Sequence, residues 1–382
     1  MKQKRVVFLQ MTGGKTSTGT GGGLVFQELL AKMLVLNGWS VYAITNHSDL
    51  HGFSFLGKNR FSVGSKNDGS GLYGVFLFNR KKLSSELSAL ASKLPQDAIY
   101  ITVDPFPKDI FTARFLQSTL KRKVIVTMYH ITPSPLFHPI RRGFLRTIVA
   151  WLISVNALLY VKMKRVPIFL DNAKIAKSAG WQLDGLLMEM PLSLERYEFI
   201  NPSNRKDIAC FMGRLAKNKG VSDLLMVWKQ VVRKLPDAEL ILIGRDYGKG
   251  RYQKLIRKYE LESNVILTGY IQGDEKRRLL ESASLFTFPS YEEGWSLSVM
   301  EAVNLGLLPI LYDIPAYDYL CSKRIKIRPG DIKSFADVVL YYFEHRDESR
   351  SLIDQLQNCI GKFTDEYVLS KWVDQISEHY LD

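Results

Sequence analysis

Two glutamates, Glu293 and Glu301, stand eight residues apart in YEEGWSLSVMEA, residues 291–302. Gly294 lies beside the first, and from about Ser296 the residues Leu297, Met300, Ala302 and Val303 recur at helical spacing. Glu301 is therefore expected about one turn inside a helix and Glu293 just before it, flanking the free amides of residues 294–297. A carboxylate there can accept from a vicinal diol while the amides donate to a sugar or phosphate oxygen, which suits a nucleotide sugar. The plainer alternative is one carboxylate favoured by the helix dipole and one surface glutamate.

Cations with a matching chemistry occur earlier. In FMGRLAKNKG, residues 211–220, Arg214 and Lys219 are five apart across a glycine-bounded turn that follows a strand. Both heads can then point into the crevice at the carboxyl end of that strand, where open α/β sheets bind ligands. Arginine offers phosphate a fork and lysine a compact charge; the alternative is two ordinary surface cations. In TGGKTSTGTGGG, residues 12–23, the sequence GGKTS imitates a P-loop, but the glycine required five positions before Gly14 is Leu9, and Leu24 breaks the dinucleotide fingerprint. What survives is that Gly21, Gly22 and Gly23 let backbone N–H groups approach a phosphate at a helix N-terminus, or form a plain turn.

The elements that must carry these residues alternate. Short β-branched or aromatic runs at 6–11, 41–45, 73–78, 98–103 and 124–129 are separated by helical patterns such as 25–36 and 84–94. A second series, 208–212, 240–243, 265–268, 285–288 and 308–311, repeats the layout. The fold class is α/β, with two parallel-sheet domains, as a chain of 382 residues warrants. The expected boundaries are an N-terminal domain over 1–190, a linker over 191–206 containing Pro191 and NPSNRKD, and a C-terminal domain over 207–364. Residues 365–382 form a last helix. Residues 57–71 read as a polar loop or irregular hairpin.

The net charge is +14, and residues 110–170 hold ten basic side chains and no Asp or Glu. Arg141, Arg142, Arg146, Lys162, Lys164 and Arg165 are among them, around the uncharged stretch 147–161, which is too short to span a bilayer. Phe137, Ile140, Phe144, Ile148 and Trp151 recur at helical spacing beside the arginines. Either a core helix with solvated arginines or a membrane-surface helix accounts for them; the charge itself suggests an anionic partner. Cys210, Cys321 and Cys359 lie far apart with no Cys-x-x-Cys pair, which points to a reduced, cytoplasmic compartment and no structural zinc. The start MKQKRVVFLQM reads as a first strand rather than a signal peptide.

In order and spacing, FMGRLAKNKG, LILIGRD, NVILTGYI and LFTFPSYEEGWSLSVMEAVNLGLLPIL together resemble glycosyltransferase family 4, retaining enzymes of the GT-B fold. The resemblance implies two Rossmann-like domains facing a cleft, the first for the acceptor and the second for the nucleotide sugar, with the C-terminal helix crossing back onto the first. It implies that Arg214 and Lys219 hold the donor diphosphate, Glu301 the ribose hydroxyls and Glu293 the sugar hydroxyls. Amides near Trp295, Ser296 and Leu297 would assist, as would Gly22 and Gly23 from the first domain; Gly244 and Tyr270 complete the donor side. His130, ending VIVTMYH, matches the histidine near the donor sugar. Ile131 stands where many relatives have an acidic residue, and MPLSLERYEF replaces the usual asparagine-glycine before the linker.

The reaction implied is sugar transfer from a UDP- or GDP-sugar to a lipid-linked or cell-envelope glycan acceptor, at the inner face of a membrane reached through Arg141, Arg142, Arg146, Trp151, Lys162, Lys164 and Arg165. No cofactor is expected, and no metal, since no Asp-x-Asp motif stands at a strand end. Two other classes fit less well. A sugar-nucleotide epimerase would need carboxylates in the first half beyond Asp104, and a nucleic-acid binder would need aromatic residues interleaved with the cations on strands.

Overall fold

The structure is a computed structural model that describes residues 4–11, 22–46, 52–64, 78–129, 131–132, 144–170, 176–177, 180–183, 187–189, 206–361 and 363–380. The chain divides into two compact units, Met1–Ser193 with Asp365–Asp382, and Leu194–Thr364. The linker expected at 191–206 falls, up to residue 205, outside the described residues, as does most of the strand expected at 73–78.

The first unit is built on seven parallel strands: β1 (Arg5–Gln10), β2 (Ser40–Asn46), β3 (Arg60–Val63), β4 (Ile99–Thr102), β5 (Lys123–Met128), β6 (Ile168–Leu170) and β7 (Leu187–Glu189). Their order is β3-β2-β1-β4-β5-β6-β7, so the chain reverses direction across the sheet between β1 and β4. The helices are α1 (Gly22–Leu36), α2 (Arg80–Leu90), α3 (Pro107–Ser118) and α4 (Phe144–Lys164). Strands β1 and β4 are buried on both faces, as a parallel sheet covered by helices requires. Helix α2 starts four residues before its expected place because the Asn79 side chain caps it, accepting from the Lys82 amide at 3.0 Å.

The second unit repeats the plan with β8 (Ile208–Met212), β9 (Glu239–Ile243), β10 (Val265–Gly269), β11 (Leu285–Phe288), β12 (Leu308–Tyr312) and β13 (Lys326–Ile327), in the order β10-β9-β8-β11-β12-β13. Its helices are α5 (Val221–Val231), α6 (Arg251–Lys258), α7 (Gly273–Ser282), α8 (Leu297–Asn304), α9 (Ile332–Glu344) and α10 (Arg346–Ile360). The last helix, α11 (Asp365–Tyr380), belongs to the first unit. There Trp372 is wholly buried, its ring 4.3 Å from Phe169 and 6.1 Å from Phe26.

Three expectations change. Within the stretch read as a polar loop, Arg60–Val63 pairs with β2 as an edge strand, because its aromatic and β-branched residues outweigh the polar flanks. Cys321 and Cys359, 38 residues apart, form a disulfide with Cα atoms 6.3 Å apart. Separation in sequence said nothing of separation in the fold, so the cysteine pattern no longer argues for a reduced compartment. Helix α4 runs 21 residues, about 31 Å at the α-helical rise. Its stretch Thr147–Lys164 is long and apolar enough to cross a membrane by length and composition, where the uncharged run alone looked too short. Part of it is nonetheless core, for Ala157, Leu158, Tyr160 and Val161 are buried against the first sheet's helical layer.

Candidate functional site

Arg214, Lys219, Glu293, Ser296 and Leu297 of the second unit gather where its strand order reverses. β8 and β11 are hydrogen-bonded neighbours, yet the chain leaves them to opposite sides, which opens a crevice beyond their carboxyl ends. Two loops border it, 213–220 after β8 and 289–296 after β11. They are tied together by the Tyr291 amide, which donates to the Asn218 carbonyl at 2.9 Å. Asp223, in the first turn of α5, accepts from the hydroxyls of Tyr291 and Tyr312, the latter at 2.9 Å.

Two glycines permit this closeness. Gly220 has φ +69°, and a Cβ there would lie 1.9 Å from the Pro289 carbonyl oxygen of the facing loop. Gly244, after β9, has φ +144°, and its Cβ would lie 1.9 Å from the Gly213 carbonyl oxygen. Side chains at these positions would push the loops apart.

Lys219 ion-pairs with Glu293 across the two loops. Its ammonium also reaches the Glu292 carbonyl at 3.5 Å and lies 5.8 Å from the Phe288 ring centre. Arg214 is exposed at the start of the first loop, and among the described residues no carboxylate competes for its fork. Glu301 lies in the second turn of α8 and pairs with Lys276 from the first turn of α7. Both pairs are mostly shielded, at 12% and 10% side-chain exposure for Lys219 and Glu293, and 23% and 14% for Lys276 and Glu301. Mutual charge therefore matters more here than on an open surface.

Helix α8 opens on Ser296, which holds φ +66° without a side-chain cap. Among the described residues the amides of Ser296, Leu297 and Ser298 find no acceptor, so they and the helix dipole present positive charge beside the two glutamates. The Trp295 side chain serves the core. Its indole is buried, stacked 4.6 Å from Tyr319 and edge-on to Phe363, with its N–H toward the Met300 sulfur. Only its backbone is left for a ligand. Tyr270, just beyond β10, is about half exposed and accepts a hydrogen bond from Gln272. Burial, reinforced by the Glu293 carboxylate, raises the pKa of the Tyr317 and Tyr319 hydroxyls well above the ordinary tyrosine value, so both stay protonated near neutral pH.

The structure thus brings Arg214, Lys219, Gly244, Tyr270, Glu293, Ser296, Leu297 and Glu301 to one edge of one sheet. Lys276 was missed: in GDEKRR it reads as one more cation on a solvated face, and no local pattern reveals a partner 25 residues away.

In the first unit, Gly22 and Gly23 open helix α1. His130, Arg141, Arg142 and the side chain of Arg146 lie outside the described residues. Trp151 is half-buried on α4, while Lys162, Lys164 and Arg165 are exposed at its C-terminal end. At the reversal point of this sheet the Met11 amide donates to buried Asp109 at 2.8 Å, and burial pushes the pKa of Asp104, just past β4, up to about 7.

Residues 195–358 match the family model described as Glycosyl transferases group 1, a match to less than half of the chain. A GDP-mannose:cellobiosyl-diphosphopolyprenol alpha-mannosyltransferase of Xanthomonas oryzae pv. oryzae is 26% identical over 183 residues, 44% of this chain and 48% of that protein. A poly(glycerol-phosphate) alpha-glucosyltransferase of Bacillus subtilis is 31% identical over 186 residues, 47% of this chain and 27% of that one. The chain thus spans about half, or less, of the length of these curated relatives. Among solved structures, a sucrose-phosphate synthase from Thermosynechococcus elongatus aligns with TM-score 0.79 at 14% identity, covering 99% of this chain and 100% of that one. Anabaena HepE, solved in complex with UDP and glucose, aligns with TM-score 0.75 at 14% identity over 98% and 100%. The chain has the α/β GT-B fold that it shares over nearly its whole length with these solved structures, and over residues 195–358 its sequence is similar to the glycosyl transferases of group 1.

Proposed function

We propose that the protein is a retaining glycosyltransferase that takes a sugar from a UDP- or GDP-sugar and passes it to a lipid-linked acceptor at a membrane face. The observation that carries this is the Lys219–Glu293 pair at the β8/β11 reversal point, beside the free amides of α8 and within reach of exposed Arg214. Arg214 and Lys219 serve the diphosphate, Glu293 the sugar hydroxyls and Glu301 the ribose. As the bond from sugar C1 to the terminal phosphate oxygen breaks, charge grows on the leaving diphosphate, and the two cations with the α8 amides stabilise it. These groups supply the compensation that a metal ion gives elsewhere, so none is required. The acceptor hydroxyl oxygen bonds to C1 on the face that the diphosphate leaves, and its proton passes to the leaving phosphate.

The acceptor falls to the first unit. Support for a membrane face comes from α4, where Leu152, Leu159 and Met163 form an exposed apolar stripe, Met163 at 75% exposure, ending among Lys162, Lys164 and Arg165. Beside it a recess of about 370 Å³ is lined by Lys162, Lys177, Gly180, Trp181 and Gln182, a setting for an anionic headgroup.

The test is calorimetric titration with UDP, GDP, ADP and their sugar conjugates, using Arg214→Ala and Glu301→Ala as controls. Selective binding of one nucleotide, weakened in both variants and indifferent to a chelator, supports the proposal; no binding to any of them sinks it. Sedimentation with anionic vesicles tests the membrane part separately: Lys162→Glu with Lys177→Glu should release the protein from vesicles and leave nucleotide binding intact. An epimerase remains the second reading because Asp104, with its pKa near 7, could move a proton at neutral pH. It predicts epimerised free sugar nucleotide without acceptor.

A further inference from the structure

Glu293 and Glu301 each have a lysine on Oε1, but the two lysines come from different kinds of place. Lys219 sits in the loop after β8, among the residues that border the crevice. Lys276 comes from α7, the helix that joins edge strand β10 to central strand β11, and it reaches across to a carboxylate on α8. The acidic residues of its own first turn, Asp274 and Glu275, and Glu281 further along, do not take it; Glu281 instead pairs with Arg277. Glu301 Oε2 makes no hydrogen bond among the described residues.

We infer that Lys276 is a positioning residue: by occupying Oε1 it holds the Glu301 carboxylate in one orientation, with Oε2 turned out as the acceptor for a ribose hydroxyl. This rests on the proposed role of Glu301 in binding a nucleoside diphosphate. The physical reason is rotational. A glutamate has three side-chain torsions and loses their freedom on gripping a diol, whereas one already pinned by an ion pair at 14% exposure has lost it before the ligand arrives. The ammonium also offsets the charge of a carboxylate that would otherwise face the ligand's phosphates.

The obvious rival is that Lys276 is a plug that ribose must displace. The two roles move affinity in opposite directions. The experiment is calorimetry of the nucleoside diphosphate that the wild type prefers and of its 2′-deoxy and 3′-deoxy forms, on wild type, Lys276→Met, Lys276→Arg, Glu301→Gln and the double variant Lys276→Met/Glu301→Gln. The wild type should favour the ribonucleotide over at least one deoxy form by about tenfold, the worth of a hydrogen bond to a charged group. Lys276→Met should lose most of that preference, Lys276→Arg should keep it, and the double variant should be no worse than Glu301→Gln. A merely structural lysine would change thermal stability without touching the ribose preference.

Tighter binding by Lys276→Met, or a ribose preference lost in Glu301→Gln but intact in Lys276→Met, overturns the positioning role alone. A wild type that binds nucleotide but treats ribose and both deoxyriboses alike overturns the role of Glu301 and takes that of Lys276 with it. A wild type that binds no nucleotide at all overturns the transferase reading itself.

Discussion

The two sheets share one order over six strands, yet their reversal points are furnished differently. Beyond β8 and β11 the second unit places lysine on glutamate twice: Lys219 on Glu293, between loops that glycines bring into contact, and Lys276 on Glu301, between two helices. Beyond β1 and β4 the first unit places carboxylates of another kind: Asp109 accepts the end-of-strand Met11 amide, and Asp104 carries a pKa raised by burial. Topology supplies a crevice in both cases, and what lines it sets the chemistry. The charge-paired lining suits a ligand that brings its own phosphates, whereas the Asp104 carboxyl can hold or release a proton near neutral pH.

The comparison breaks first at the C-terminus. Trp372 is wholly buried against Phe169 and Phe26, so a helix that follows the second unit in sequence is core of the first. Trp372→Ala should cost about 3–5 kcal/mol, the range for emptying a buried aromatic site. Urea unfolding checks it, and a midpoint equal to wild type would mean that α11 adds little to the first unit.

A smaller effect separates the glycines. Gly38, after α1, has φ +78° and open space within 4 Å of where a Cβ would stand, whereas Gly220 has φ +69° and the Pro289 carbonyl oxygen at 1.9 Å. Gly38→Ala should cost only the left-handed strain, about 1 kcal/mol. Gly220→Ala adds overpacking, for about 3 kcal/mol together, and should weaken nucleotide binding by parting the two loops. Equal losses in thermal unfolding would show that the second unit's loops are not held by close approach.

The same contrast governs what could be read from sequence. The second unit's strands at 208–212 and 285–288 were legible to the residue, because short apolar runs between turn signals leave little choice for a buried parallel strand. The positions of Arg214, Lys219 and Glu293 in the loops after their strands, and of Glu301 in the helix that follows the second loop, could be placed from sequence as well. Lys276 could not be read this way, since its meaning depends on a contact between α7 and α8 that no periodicity encodes. Cys321 and Cys359 failed for the same reason. In the first unit, Arg60–Val63 hid inside a polar stretch, since a four-residue edge strand carries too few apolar residues to stand out.

The subtlest difference is in pH response. Asp104 ordinarily titrates near 3.8, and burial pushes it to about 7 in the folded chain. Between those values the folded state binds the proton that the unfolded chain has released, so raising the pH through this window favours unfolding. The stability is fully present below about 3.8 and lost by about 7. Asp104→Asn, similar in shape and without the charge, removes that loss. Urea midpoints of wild type and variant should therefore diverge as pH rises from about 4 to about 7, the variant gaining, and run parallel above that. A gap that stays constant from about pH 4 to about pH 8 would mean that Asp104 is solvated and ionised throughout. The first unit's reversal point would then be as ready for a charged ligand as the second, and the contrast between a paired and a buried carboxylate would vanish.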